Sequence, residues 1–395
     1  MQLNLNKINF VLGTPDILEN MKNIVALKPF DDDVIDFLNT LSVKLIRHRA
    51  FPDVATFGFW CRKAALIKEK EKYDDLNERL GRGVVFHIAP SNVPVNFAFS
   101  FVSGLLAGNA NIVRVSNKDF EQVKIISKEI SVLLDNDFKD LAPYMCFIKY
   151  DHDSEITDYL SGICDTRVIW GGNQTINMIR RSPLKPRANE IDFSDRHSFL
   201  VIDADEYLNH ENKDRLINDF YNDTYYSDQN ACTAPRIIFW RGENKECAKK
   251  DFWERVHTLV KEKYELAPVQ SVGKLSALYK AGAFYNIKKE ESEDCLIYRM
   301  KINELDENLM NFKYNSGFFF EKDIVSLDEI LPICTSPCQT MTYFGINKEE
   351  MRDFINDKRP RGIDRIVPVG SSMDFALTWD GYDLIRMMSR RVSVL

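Results

Sequence analysis

Cys232 lies in Tyr226-Ser227-Asp228-Gln229-Asn230-Ala231-Cys232-Thr233-Ala234-Pro235, a polar turn just ahead of the apolar run 236–240. A thiol on a loop facing a cleft can form the thiolate that covalent catalysis needs, whereas a thiol in an apolar core is inert. The chain has eight cysteines (Cys61, Cys146, Cys164, Cys232, Cys247, Cys295, Cys334 and Cys338), and their spacing does not single one out. A second candidate is Asn92, in Ser91-Asn92-Val93-Pro94. An asparagine amide at the end of a buried strand can donate to a developing oxyanion, and it can equally cap a helix starting near Pro94. In Trp170-Gly171-Gly172-Asn173-Gln174 the paired glycines allow either close backbone approach to a phosphate or a plain turn. Arg114, followed by Ser116 and Lys118, is placed either to bind a ribose or 2′-phosphate or to make a surface ion pair.

These residues need a scaffold, and the periodicity supplies one. Residues 1–80 read as mostly helical, with apolar positions at three-to-four spacing over 32–48 and 57–80. The run Lys68-Glu69-Lys70-Glu71-Lys72 reads as a solvated helix face, and Gly81 and Gly83 end that helix. Val84-Val85-Phe86-His87-Ile88 then reads as a buried strand, 95–107 as an apolar helix and 110–115 as the next strand, which makes a βαβ unit. Helix 119–134, strand 144–150, helix 153–161 and strand 166–170 continue the alternation, the pattern of a doubly wound parallel sheet. The pattern changes around 187–198. A second region follows, with strands at 199–202 and 236–240, helices at 211–221 and 248–263, a charged surface loop over 288–294, several later strands, strand 365–369 and a turn at Trp379-Asp380-Gly381-Tyr382-Asp383. The fold class is therefore α/β.

Composition sets further limits. A 395-residue chain is long enough for two or three lobes. With 45% hydrophobic and 28% charged residues it matches a globular protein rather than a disordered or coiled-coil chain. A net charge of −7 argues against general nucleic-acid binding. No stretch is apolar enough to span a membrane, and Met1-Gln2-Leu3-Asn4-Leu5-Asn6 lacks the basic and apolar regions of a signal peptide, so the cytoplasm is the expected location. Dispersed cysteines do not suggest a disulfide framework. Cys334 and Cys338 have zinc-like spacing but no second pair of ligands close in sequence, so no metal is expected. Rossmann glycine, P-loop and G-x-S-x-G motifs are all absent.

Taken together and in order, the four candidate segments resemble the aldehyde dehydrogenase superfamily. Ser91-Asn92-Val93-Pro94 resembles its Trp-Asn-Phe-Pro turn, and Leu106-Ala107-Gly108-Asn109-Ala110-Asn111-Ile112-Val113-Arg114 its Leu-Ala-x-Gly-Asn-x-Val-Val-x-Lys segment. Gly171-Gly172-Asn173-Gln174 sits where the superfamily has a Gly-Ser-Thr phosphate turn, and Gln229-Asn230-Ala231-Cys232 resembles its Gly-Gln-x-Cys. The closer resemblance is to the LuxC-type acyl-protein thioester reductases, the fatty acid reductases of bacterial bioluminescence. It is carried by residues 84–94, Ala231-Cys232-Thr233-Ala234-Pro235-Arg236, and the tail Asp364-Arg365-Ile366-Val367-Pro368-Val369-Gly370 with Asp374-Phe375 and Thr378-Trp379-Asp380-Gly381-Tyr382-Asp383. It spans about 81–383; the first 80 residues match loosely.

The resemblance implies an aldehyde dehydrogenase-like fold. Residues 1–196, with 366–395 returning, would form a Rossmann-type NADP-binding domain that includes the helical N-terminal segment, and 197–365 an α/β catalytic domain. It further implies Cys232 as nucleophile and Asn92 as oxyanion donor, with Ser91, Arg114, Ser116, Lys118, Gly171, Gly172 and Asn173 on NADPH, NAD being the alternative cofactor. The implied reaction is reduction of a fatty acyl thioester to the aldehyde. Its substrate would be an acyl-CoA or acyl carrier protein, a LuxE-like acyl-protein synthetase would be a partner, and the chain would form a homo-oligomer. Two departures bear on this. Arg114 replaces the superfamily lysine, and the Glu-Leu-Gly-Gly segment, whose glutamate activates water, is replaced by Glu190-Ile191-Asp192-Phe193. Glu190 and Asp192 remain the local candidates for a base. The rival readings are a short-chain CoA-acylating aldehyde dehydrogenase using NAD and a non-catalytic scaffold for an acyl-protein synthetase.

Overall fold

Val84-Val85-Phe86-His87-Ile88 carries no polar residue except His87, and in the computed structural model it is a strand buried at every position. The structure describes residues 5–151 and 153–394; residues 1–4, on which part of the leader reading rests, lie outside them. Strands of this kind need apolar cover on both faces, and here they form one sheet with β1 (Asn9–Leu12) at its edge. Arg79–Gly81 is β2, which pairs instead with the tail strand Ser389–Arg391. The remaining strands are β3 (Val84–Ile88), β4 (Ala110–Arg114), β5 (Met145–Lys149), β6 (Thr166–Trp170) and β7 (Asn189–Phe193), in the order β1-β5-β4-β3-β6-β7. All neighbours are parallel except β1, which runs antiparallel to β5. The winding reverses at β3, so the turns after β3 and β6 open where doubly wound sheets bind ligands.

The second sheet consists of β8 (His197–Asp203), β9 (Pro235–Arg241), β10 (Ile287–Lys289), β11 (Tyr298–Ile302), β12 (Phe318–Asp323), β13 (Cys338–Phe344) and β14 (Arg365–Pro368). Its order is β10-β11-β12-β9-β8-β13-β14, and only β10 is antiparallel to its neighbour. Each sheet has an apolar cluster on either face. Among the described residues no helix is long and apolar enough to cross a membrane.

The chain divides into two compact units. One runs to Ser194 and resumes at Phe375; the other is Asp195–Asp374. The expected return at 366 therefore comes later, because 365–374 stays with the second unit. β14 pairs with β13, the buried Asp223 carboxylate accepts from Gly370 N at 2.7 Å and Ser372 N at 3.0 Å, and Arg365 bonds the carbonyls of Ser371 and Ser372. Other differences are local. The helix expected over 57–80 is two helices, Pro52–Trp60 and Lys63–Lys70, because Arg62 turns to extended backbone and Lys63 N bonds Asn39 Oδ1. The loop expected over 288–294 begins as β10, paired Ile287 to Ile302. The turn at 379–383 is a two-residue hairpin with Asp380 and Gly381 at positive φ, as an Asp-Gly turn requires.

A chain of buried polar groups supports the β3 end of the first sheet. Trp170 Nε1 donates to Ser100 Oγ at 2.9 Å, and Ser100 Oγ donates to His87 Nδ1 at 2.7 Å. His87 Nε2 in turn donates to Asn111 Oδ1 at 3.0 Å. Asn111 Nδ2 bonds Asn109 O at 2.7 Å, and Asn109 Oδ1 receives Arg82 N and Gly83 N. Gly104 is the only residue type that leaves room: a Cβ there would lie 2.1 Å from Asn111 Oδ1 and 2.9 Å from His87 Nε2.

Burial pushes the His87 imidazole down to about 4, against the bond to Asn111. Its folded value is below its unfolded one, so its stabilisation is complete above about 6.5 and is lost as pH falls through 4. Urea unfolding between pH 7 and pH 4 should show the native chain losing about 3 kcal/mol that the His87→Gln chain does not lose, each unit being about 1.4 kcal/mol. Parallel pH curves for the two proteins would refute this.

Candidate functional site

In the first unit the candidates collect at the carboxyl edge of the parallel sheet. Ser91 and Asn92 follow β3 and are exposed. The helix after them, Asn96–Leu106, has Val95 at its N-cap and no side-chain cap, so Asn92 does not cap it. Among the described residues the Asn92 side chain bonds no protein group. Arg114 ends β4. It makes no ion pair among the described residues; Nη2 donates to Tyr150 O at 3.2 Å, the guanidinium stacks 4.5 Å over the Tyr150 ring, and Nε is buried without a partner. Ser116 Oγ accepts from Lys118 N at 3.1 Å, which folds that turn and leaves Lys118 exposed. Gly171 and Gly172 follow β6. Gly172 is the N-cap of helix Asn173–Ile179 and supplies no side chain, so the helix amides keep their own polarity. A Cβ at Gly171 would meet Thr175 at 3.2 Å.

Glu190 and Asp192 lie on β7, and both are engaged by cations. Glu190 Oε2 receives Arg167 Nε at 2.8 Å and Nη2 at 2.5 Å, while its Oε1 receives Arg180 Nε at 2.7 Å. Arg180 also reaches Asp192 at 3.3 Å. A carboxylate tied by two guanidiniums clamps the strand to the helix that Arg180 ends.

In the second unit, Cys232 sits on the loop entering β9, at the amino edge of that sheet. The loop is turned by Asp228 and Gln229, both at φ +52°. Gln229 is fully buried: Nε2 donates to Pro235 O at 3.1 Å, and Oε1 accepts from Gly317 N at 2.8 Å and Phe318 N at 3.1 Å. Arg236, also buried, bonds Gln229 O, Tyr314 O at 2.7 Å and Asn315 Oδ1 at 2.7 Å. Asn315 Nδ2 reaches Asn230 Oδ1 at 2.5 Å. Ser198 Oγ donates to Cys232 O at 2.7 Å, and Ala234 N to Ala231 O at 3.1 Å closes a turn around the cysteine. Among the described residues the Cys232 amide finds no acceptor. Its thiol is half-buried.

The other thiols differ. Cys61, Cys146, Cys164, Cys334 and Cys338 are buried, and burial pushes Cys146 and Cys164 up to about 12. Cys247 and Cys295 are exposed. Among the described residues no three His, Cys, Asp or Glu side chains are grouped to hold a metal. The supporting residues Ser198 and Asn315 went unread in the sequence. Asn315 stands in Phe312-Lys313-Tyr314-Asn315-Ser316-Gly317, where the Asn-Ser-Gly turn signal marks a loop and nothing more.

Comparison with known proteins gives both a fold and a family. Lactaldehyde dehydrogenase superposes with a TM-score of 0.65 at 11% identity, covering 95% of this chain and 88% of that one. A 1-pyrroline-5-carboxylate dehydrogenase variant of Thermus thermophilus gives 0.61 at 13%, covering 95% and 82%. The fold is therefore that of the aldehyde dehydrogenases, with a Rossmann-like sheet. The long-chain acyl-protein thioester reductase of Vibrio harveyi is 22% identical over 322 residues, 79% of this chain and 63% of that protein. The sequence model of the acyl-CoA reductase (LuxC) family matches residues 19–391, and the chain belongs to that family.

Proposed function

We propose that this chain reduces a long-chain fatty acyl thioester to the fatty aldehyde through an acyl-enzyme on Cys232, with NADPH as reductant. The carrier would be CoA, acyl carrier protein or a LuxE-like acyl-protein synthetase. The observation that carries the reading is the state of Cys232: a half-buried thiol on a loop clamped by buried Gln229 and Arg236, its own amide without an acceptor, in a chain where five other thiols are sealed in the core.

On this reading the Cys232 thiolate attacks the thioester carbonyl, the new C–S bond forms, and the carrier leaves as its thiol. The Cys232 N–H donates to the oxyanion of the tetrahedral intermediate, and by resemblance to the Trp-Asn-Phe-Pro turn Asn92 is the second donor. Water must be kept from the resulting thioester. Glu190 and Asp192, the base candidates in the segment that replaces Glu-Leu-Gly-Gly, are held by Arg167 and Arg180, which favours reduction over hydrolysis.

The carboxyl edge of the first sheet fits an anionic dinucleotide. The Arg114 Nε is buried and unpaired, Lys118 is an exposed cation on the same turn, and two glycines precede an uncapped helix. Arg114, Ser116 and Lys118 would hold the ribose and 2′-phosphate, and Ser91, Gly171, Gly172 and Asn173 the remaining phosphates. When bound, the reduced nicotinamide supplies the hydride that takes the acyl group to the aldehyde.

Three outcomes are expected. Radiolabelled tetradecanoyl-CoA should label the native chain and leave Cys232→Ala unlabelled; label retained on the alanine variant removes Cys232 as the nucleophile. Asn92→Ala should lower kcat by about 10² to 10³, the usual loss of one oxyanion donor, and a smaller fall would return Asn92 to a structural role. Arg114→Met should raise KM for NADPH about tenfold while leaving that for NADH unchanged, as loss of one phosphate contact worth about 1.4 kcal/mol requires. Equal effects on both cofactors would count against the 2′-phosphate assignment. Rates with acetyl-CoA against tetradecanoyl-CoA separate this reading from a short-chain CoA-acylating enzyme.

A further inference from the structure

In a surface helix the apolar stripe ordinarily faces the core and the charges face water. The helix Pro268–Gly282 of the second unit does the reverse. Val269, Val272, Leu275 and Tyr279 point outward, as does Phe284 just beyond its end, and Val272, Tyr279 and Phe284 are 65%, 70% and 75% exposed. Residues 267–284 hold two charges, of which Lys274 is buried, so Lys280 is the one charge at that surface. With roughly 100 Å² left in water by each of these five side chains, the apolar face is on the order of 500 Å², at the upper end of what monomeric proteins expose.

The inner side of the helix fixes the outer side in place. Lys274 Nζ donates to Ser316 O at 2.6 Å and to the Cys295 carbonyl, Ala277 and Ala281 are buried, and at Gly273 a Cβ would overlap the Tyr314 hydroxyl. Gln270 holds the first turn, accepting from Ala267 N at 2.7 Å and donating to Asp228 Oδ2 at 2.8 Å. Rolling the helix to bury its valines would break these bonds and leave the Lys274 ammonium unsatisfied. The exposed face is therefore rigid. It is also convex, which suits a protein surface and not an acyl chain, whose binding needs a concave pocket.

The pattern of the face says what covers it. Pro268, Val272, Leu275, Ser276, Tyr279 and Ala283 follow one another at three- and four-residue spacing, the seam on which helix packs against helix. That seam is palindromic about the point between Leu275 and Ser276. An antiparallel second copy would set Tyr279 against Val272, Leu275 against Ser276 and Pro268 against Ala283, a larger side chain against a smaller one at each level. Lys280 would meet Ser271, and Glu265 would meet Asn286, so no like charges are opposed. Closing two such faces would remove about 1,000 Å² from water, the size a specific interface needs. We propose that helix Pro268–Gly282 is the two-fold contact through which two copies of this chain associate, with Val272 and Tyr279 as its paired anchors. The inference is independent of the nucleophile assignment.

The test is analytical ultracentrifugation of the full chain and three variants. The native chain should associate, and Val272→Lys or Tyr279→Glu alone should weaken that association by about a hundredfold, because each places an uncompensated charge in the seam. Both side chains are exposed, so the circular dichroism spectra should match the native one. The double variant Val272→Lys/Tyr279→Glu should recover association, since the antiparallel register puts the new lysine of each copy against the new glutamate of the other. Within one helix the two positions are two turns apart and do not pair. If Tyr279→Glu does not fold, Val272→Glu with Tyr279→Lys gives the same reading with the charges exchanged. A larger native assembly should lose one two-fold step in each single variant and regain it in the double. A native chain that stays monomeric up to about 100 µM, single variants that associate as the native chain does, or a double variant no tighter than the singles each overturn the inference. Sedimentation reads no chemistry at Cys232, so failure of the nucleophile assignment leaves this result standing.

Discussion

The Gln229 carboxamide is sealed from water, so every hydrogen bond it can make must come from the protein, and the loop around it is shaped by that demand. Its donor side takes Pro235 O and its acceptor side takes Gly317 N and Phe318 N, which locks the entry to β9 against the entry to β12. Two consecutive residues at positive φ are the local strain needed to turn the side chain inward. Once Gln229 is fixed, Cys232 has little freedom. It lies three residues on, inside a closed turn, with its carbonyl held by Ser198. Leaving any of these amides unpaired would cost about 1–3 kcal/mol, so the loop is rigid without secondary structure of its own.

The first unit solves the equivalent problem with a relay. The turn after β3 has exposed residues and few bonds of its own, but the strand before it and the helix after it are joined through His87 and Ser100, and β6 joins through Trp170. Ser100 is both donor and acceptor in that relay, which fixes the imidazole tautomer and leaves His87 neutral. A neutral, buried histidine at this place is a scaffold group, and its chemistry is directed at Asn111 and not at solvent.

Strands with uniform burial were legible because β-branched runs bounded by turn residues have few other readings: residues 84–88 and 166–170 coincide with β3 and β6. The turns that follow them were legible for the same reason. Elements set by tertiary contact were not. Helix Pro268–Gly282 has apolar residues on its exposed side, Val269, Val272 and Tyr279, and a glycine and a lysine at its centre, so no amphipathic stripe announces it. Gly273 is required because a Cβ there would overlap Tyr314 Oη, and Lys274 points inward to the carbonyls of Leu296 and Ser316. Those reasons lie on other parts of the chain. β7 was missed because its alternation is imperfect and its polar positions serve Arg167 and Arg180.

Glu190 shows how the edge of the first sheet handles a carboxylate. Here the acidic residues of that region are placed on a strand, in register with Arg167 on β6, and a second arginine closes over them. The guanidiniums satisfy both oxygens of Glu190 and hold them against the sheet. The same two ion pairs tie β7 to β6 and to the helix that follows β6. The carboxylates are visible in the sequence, but the arginines that engage Glu190 stand 23 and 10 residues earlier, so the pairing is not.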